Sequence, residues 1–150
     1  MATKTEVKAE LFSLKTPYLS AGRISTTVSE TEDLWIATKM NAEGGENAIH
    51  KHTVEDHAFI VLEGEVTFFD KEGNETVLGP YQGIMLPKGA YYRYLNTGPG
   101  NLMILRIGAG KKAGGGNEAR IGPDGKPLPA YSVDNMHIEA VPIPGKFFGE

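Results

Sequence analysis

Between residues 34 and 107 the chain is a succession of short β-forming runs, each closed by a glycine, proline or asparagine turn. Leu34–Met40 runs into Asn41 and Gly44-Gly45, and His57–Leu62 and Glu65–Asp70 flank Glu63-Gly64 as the two arms of a hairpin would. Glu65–Asp70, Glu75–Leu78, Ile84–Leu86, Tyr91–Asn96 and Leu102–Ile107 follow at similar intervals, with Gly73-Asn74, Gly79-Pro80, Pro87-Lys88-Gly89 and Gly98-Pro99-Gly100 between them. No segment here carries apolar residues at the helical period, whereas alternation and continuous apolar runs recur. With a modest further run over Arg23–Ser29, the pattern predicts about eight antiparallel strands in a sandwich or barrel. The fold class is therefore all-β.

Into this framework the chain places three of its four histidines within a few residues, at His50, His52 and His57. His50 and His52 are two apart, so on a strand their side chains leave one face with Cα atoms about 6.5–7 Å apart. That spacing lets two imidazoles reach one ion, and His57, across a short connection, could supply a third nitrogen. Surface strands also carry histidine with no chemical role, and both readings are open at this level. Glu55 and Asp56 lie beside the group, Glu55 as a second-layer partner or substitute ligand, and a solvated loop accounts equally for both. His137, far along the chain, reads as an ordinary surface or packing residue.

Composition removes several function classes. The 150 residues are enough for one domain with a sizeable core. A net charge of −4 without a lysine/arginine cluster argues against nucleic acid and against a polybasic membrane contact. There is no cysteine, which excludes thiolate metal sites, disulfides and a cysteine nucleophile. No apolar run approaches membrane-spanning length, and the polar, lysine-bearing start has no apolar leader stretch, so the expected location is the cytoplasm.

The flanks read differently from the centre. Val7–Leu11 alternates and precedes Pro17 and Gly22, as an edge strand or an arm laid on a partner subunit would. Residues 108–116 are glycine-rich but lack phosphate-loop spacing, and they read as a linker leaving the barrel. Residues 117–150 combine proline and glycine with enough apolar side chains to form a tail that packs. One domain over 1–150, with a barrel core at about 24–108, is the expected organisation. Apolar residues on both faces of runs such as His57–Leu62 point to a covered outer surface, hence a homodimer.

Two motifs resemble those of the cupin superfamily. Gly44, His50, His52, position 57 and Gly64 match the spacing of the first cupin motif, with His57 where that motif carries glutamate. Pro87, Gly89, Tyr92 and Asn96 match the second, with Tyr92 in place of its histidine. The resemblance implies a jelly-roll barrel with an N-terminal arm and a loop-rich C-terminal tail. It also implies one divalent transition metal (iron, zinc or nickel) on His50, His52 and His57, because a neutral three-histidine set suits those ions better than magnesium or calcium. Tyr92 would be a ligand, an acid/base group or a hydrogen-bond donor, or else an aromatic filling the barrel. Phe59, Phe68, Tyr94 and Asn96 would line a cavity for a small, possibly aromatic or carbonyl-bearing molecule. The implied activity is oxidative cleavage of the dioxygenase type. Zinc or nickel lyase, isomerase or cyclase chemistry, or binding without turnover, are the alternatives.

Overall fold

A computed structural model of the chain describes residues 5–110, 120–129 and 137–149. Twelve strands are present among them: β1 (Thr16–Ala21), β2 (Arg23–Glu30), β3 (Leu34–Asn41), β4 (Gly45–His52), β5 (Glu55–Glu63), β6 (Val66–Phe69), β7 (Glu75–Leu78), β8 (Gly83–Leu86), β9 (Tyr92–Asn96), β10 (Leu102–Gly110), β11 (Arg120–Ile121) and β12 (Val141–Phe148). Two five-stranded sheets, ordered β2-β3-β10-β5-β8 and β11-β4-β9-β6-β7, face each other, and β1 pairs with β12 in a small third sheet. From β4 to β6 and again from β7 to β10, each strand crosses to the opposite sheet. All pairings between neighbouring strands are antiparallel, and the result is a jelly roll.

The inner faces follow from strand parity. Ala37, Lys39 and Asn41 of β3 stand opposite Arg106, Ile104 and Leu102 of β10. Arg106 and Ile104 in turn pair with Phe59 and Val61 of β5. From the other sheet, Val66, Phe68, Tyr92 and Tyr94 close the core, all of them buried. Phe59, Phe68, Tyr92 and Tyr94 form one aromatic cluster with ring centroids 5.5–6.3 Å apart. Burying each such ring contributes about 1.5–3 kcal/mol, so this end of the barrel is a packed core.

Several local expectations change. His57–Leu62 and Glu65–Asp70 do not form a hairpin: β5 and β6 belong to different sheets. Gly64, at φ 90°, turns the chain between them where a Cβ would lie 2.6 Å from the Asn101 carbonyl oxygen. Gly108–Gly110 belong to β10 and not to a linker, while residues 111–116, the rest of that expected linker, lie outside the described residues. Val7–Leu11 is exposed and belongs to no strand, and the paired strand of this region is the following segment, β1. Its Pro17 sits in a two-stranded sheet, where a missing N–H is tolerated. β1 and the tail lay Leu19, Tyr18, Ala140 and Phe148 over Met40 and Met103, so part of the barrel's outer face is covered within one chain. His137 accepts a hydrogen bond from Arg23 Nε at 3.2 Å, which ties the tail to β2.

Candidate functional site

His50 and His52 come from β4 and His57 from β5, so opposite sheets deliver them to one place. The ring centroids of His50 and His52 are 5.2 Å apart and those of His52 and His57 are 4.1 Å apart. Pairing of β4 with β9 shifts register between Glu46 and His50, and His50 stands opposite Tyr92. That irregularity places Glu46, His50 and Tyr92 around one point, as a bulge next to a site does.

Each histidine has a defined set of partners. His50 Nδ1 is 2.8 Å from the Ala48 carbonyl oxygen and donates to it, which leaves Nε2 as the bare nitrogen. Arg120 Nη2 also lies 3.4 Å from Nδ1, but a nitrogen that donates its proton cannot accept one, and the shorter contact governs. Tyr92 donates its hydroxyl to His52 Nε2 at 3.1 Å. His57 Nε2 donates to Glu55 Oε2 at 3.0 Å, and the same oxygen accepts from Trp35 Nε1 at 2.9 Å. His57 Nδ1 accepts from Arg106 Nη2 at 3.2 Å, and that nitrogen is 3.4 Å from His52 Nε2.

Burial sets the protonation states. Burial first, and then the Arg106 guanidinium, bring His57 down to about 4, with Glu55 opposing. Burial, His57 and Arg106 hold His52 far below the ordinary imidazole range. Burial lowers His50 despite Glu46. Tyr92 is pushed well above its usual value by burial and by the Glu46 charge, so it remains a phenol. At neutral pH the site therefore holds three neutral imidazoles and a neutral phenol.

The charge comes from residues that carry no motif. Glu46 Oε1 lies 2.9 Å from Lys39 Nζ, 3.3 Å from Arg106 Nη1 and 3.8 Å from Arg120 Nη2. Burial alone would raise the Glu46 carboxyl, but Lys39 and Arg106 hold it well below the carboxylate range. Burial brings Lys39 down to about 7 even with Glu46 beside it. Three cations converge on one buried carboxylate, and Arg106 also lies over the Trp35 and Phe59 rings at 5.3 and 5.2 Å. A cavity of about 310 Å³ reaches this group from the β2–β3 side, with Arg106, Glu55 and Trp35 in its wall.

A family model for the cupin domain matches residues 39–108, the span that contains β4 to β9 and nearly all of β10. That span is a cupin domain. Solved structures agree on the fold. A conserved protein with a double-stranded β-helix domain from Klebsiella pneumoniae is 24% identical with a TM-score of 0.56, over 63% of this chain and 83% of that one. KdgF from Halomonas is 21% identical with a TM-score of 0.53, over 61% and 83%. The cupin domain of Cnp3 from Schizosaccharomyces pombe is 14% identical with a TM-score of 0.56, over 63% and 69%. No curated protein matches the sequence.

Cupins often hold a metal on their motif side chains. Among the described residues no group of three histidine or acidic side chains is placed to hold an ion. Arg106 Nη2 lies 3.2 Å from His57 Nδ1 and 3.4 Å from His52 Nε2, beside both rings. The three histidines are brought together as expected, but around an arginine. Tyr92 joins them, and Glu55 is the partner of His57. Asp56 instead accepts from the Lys88 backbone N–H at 2.8 Å and fastens the Pro87-Lys88-Gly89 turn. Asn96 lies at the barrel end, its amide donating to the carbonyls of Asn41 and Gly100 at 3.0 and 2.8 Å. Phe59, Phe68 and Tyr94 are core residues packed against Tyr92. Arg106, Glu46, Lys39, Arg120 and Trp35 were not singled out from the sequence. The signal that marks two of them is a single charged residue at an inward position of a largely apolar strand, Lys39 in β3 and Arg106 in β10.

Proposed function

We propose that this protein binds a small organic anion of the carboxylate class in the barrel interior, with Arg106 as its anchor. The observation that carries this reading is the charge balance: Lys39, Arg106 and Arg120 share the single carboxylate of Glu46 beside a cavity of suitable size. Buried cations sharing one carboxylate favour an anionic guest, and Arg106 Nε, buried without a partner, is the donor left for it. The imidazoles around it are too weakly basic to take a proton at neutral pH, so binding is the better supported role than proton transfer. The test uses chelator-treated protein and thermal shift with benzoate, succinate and pyruvate against their uncharged amides. Carboxylates should raise the melting temperature and amides should not, with the effect lost in Arg106→Gln. Equal response to the amides, or undiminished response in the variant, overturns the reading.

A second reading is metal-dependent chemistry: oxidative cleavage of the dioxygenase type, or a lyase, isomerase or cyclase reaction on zinc or nickel. One observation favours it. His50 Nε2 and Glu46 Oε2 are 3.4 Å apart, both buried and without a hydrogen bond. With Nδ1 donating to Ala48, two lone pairs face each other, and a proton or cation between them would relieve the repulsion. Two ligands of one tetrahedral zinc stand about 3.3 Å apart, so the span suits a metal. These are only two donors, and Arg106 would have to move for a third. Elemental analysis decides: stoichiometric metal that disappears in His50→Ala/His52→Ala supports this reading, and retention of metal by the double variant places it elsewhere.

A further inference from the structure

The cavity beside Arg106 is bipolar. Its wall carries a guanidinium at Arg106 and carboxylates at Glu55 and Glu30, with the Trp35 indole, Ala37 and the small hydroxyl side chains Ser25 and Thr27 completing it. Opposite charges in one cavity usually pair, but here each is engaged elsewhere. Arg106 spends Nη1 on Glu46 and Nη2 on the two histidines, and its Nε is buried without a partner. Glu55 Oε2 receives only neutral donors, the indole N–H and the His57 N–H. His57 is neutral by geometry, since its Nδ1 must accept from Arg106 while its Nε2 donates to Glu55. The imidazole thus works as a spacer between the two charges, which the two hydrogen bonds and the ring width hold at most about 8.4 Å apart.

We infer that the ligand is zwitterionic, an α- or β-amino acid with its carboxylate on Arg106 and its ammonium on Glu55, and this rests on the anion-binding reading above. A hydrogen bond of about 2.8 Å at each end leaves room for an ammonium and a carboxylate separated by two or three bonds. Trp35 is suited to the ammonium and to an apolar side chain, since a ring face attracts a cation and excludes water. Small residues on β2 leave the space: Ser25 and Thr27 stand opposite Lys39 and Ala37, while Glu30, at the end of that strand, adds a second carboxylate to the wall. A ligand with only a carboxylate would leave the Glu55 charge uncompensated beside it. One with only an ammonium would forgo Arg106.

Trp35 is the single tryptophan of the chain, so its indole N–H resonance and its fluorescence report directly on the Glu55 end. The probes are the protein L-amino acids other than tryptophan and β-alanine, each beside its N-acetyl form (carboxylate only) and its amide (ammonium only), titrated to 10 mM. At least one amino acid should shift the Trp35 indole resonance. Its N-acetyl and amide forms should bind about 10–100-fold more weakly, the range for losing one charged hydrogen bond. Glu55→Gln keeps a hydrogen-bond acceptor for Trp35 and should bind the amino acid only as tightly as the original protein binds its N-acetyl form. If N-acetyl forms or simple carboxylates bind as well as amino acids, the anion reading stands and the zwitterion inference falls. If simple carboxylates bind and no amino acid does, it also falls. If neither class binds, both fall. The ligand series on the unaltered protein decides even where Glu55→Gln does not fold.

Discussion

Replacing Glu46 by glutamine tests the electrostatic centre of the barrel. The carboxylate is the shared counter-charge of Lys39, Arg106 and Arg120 at 2.9, 3.3 and 3.8 Å. Glutamine keeps the shape and one acceptor but leaves buried cations uncompensated. Removing one partner of a buried ion pair costs about 3–5 kcal/mol. With a urea m-value near 2 kcal/mol/M, that lowers the unfolding midpoint by roughly 1.5–2.5 M. The loss should depend on pH through Lys39, whose folded value, about 7, lies below its ordinary 10.5. Between those values the unfolded chain holds a proton that the folded protein has released. Stability gains from this group therefore rise with pH across the interval, and the cost of the buried ammonium is fully present below pH 7. In the variant Lys39 loses the attraction of Glu46 and gives up its proton at still lower pH. The penalty of Glu46→Gln should consequently be larger at pH 6 than at pH 9, by up to about 1.4 kcal/mol, since pH 6 lies about one unit below the folded value of Lys39. Urea melts of both proteins at the two pH values measure it. A penalty below about 1 kcal/mol, or one that is equal at pH 6 and pH 9, refutes the picture of a charge-sharing carboxylate coupled to Lys39.

Three further outcomes follow from the geometry. Gly108→Ala puts a Cβ 2.1 Å from Trp35 Cε2, so the indole must leave Glu55; about 1–3 kcal/mol should be lost, with a shifted indole resonance, and an unchanged resonance would contradict the placement of Trp35. Tyr92→Phe removes the donor to His52 and should cost about 1 kcal/mol in urea melts, whereas a catalytic Tyr92 would instead show a 10²–10⁴-fold loss of turnover once a reaction is found. For a homodimer, light scattering at micromolar concentration should give twice the 16.2 kDa chain mass; Met85, 65% exposed, marks outer surface that β1 and the tail leave uncovered, and a monomer would show that those segments suffice.

Legibility differed between backbone and site for physical reasons. Strand content and turns were readable because alternation has a period of two and turns need glycine, proline or asparagine. Leu34–Met40 and Tyr91–Asn96 carry Trp35, Lys39, Tyr92 and Tyr94 inward as parity requires. The clustering of His50, His52 and His57 was equally readable, since it depends on sequence neighbours joined by one short connection. What joins them was not. Arg106 is almost fifty residues from His57 along the chain and reaches it only because β10 pairs with β5 in one register. Arg120 reaches Glu46 from a strand added at the edge of the other sheet. Local sequence thus determined the all-β fold and a histidine-lined interior. Long-range pairing alone decided that the interior would hold a guanidinium among its imidazoles, because the free energy of a buried charge depends on which partners the tertiary structure brings within hydrogen-bond distance.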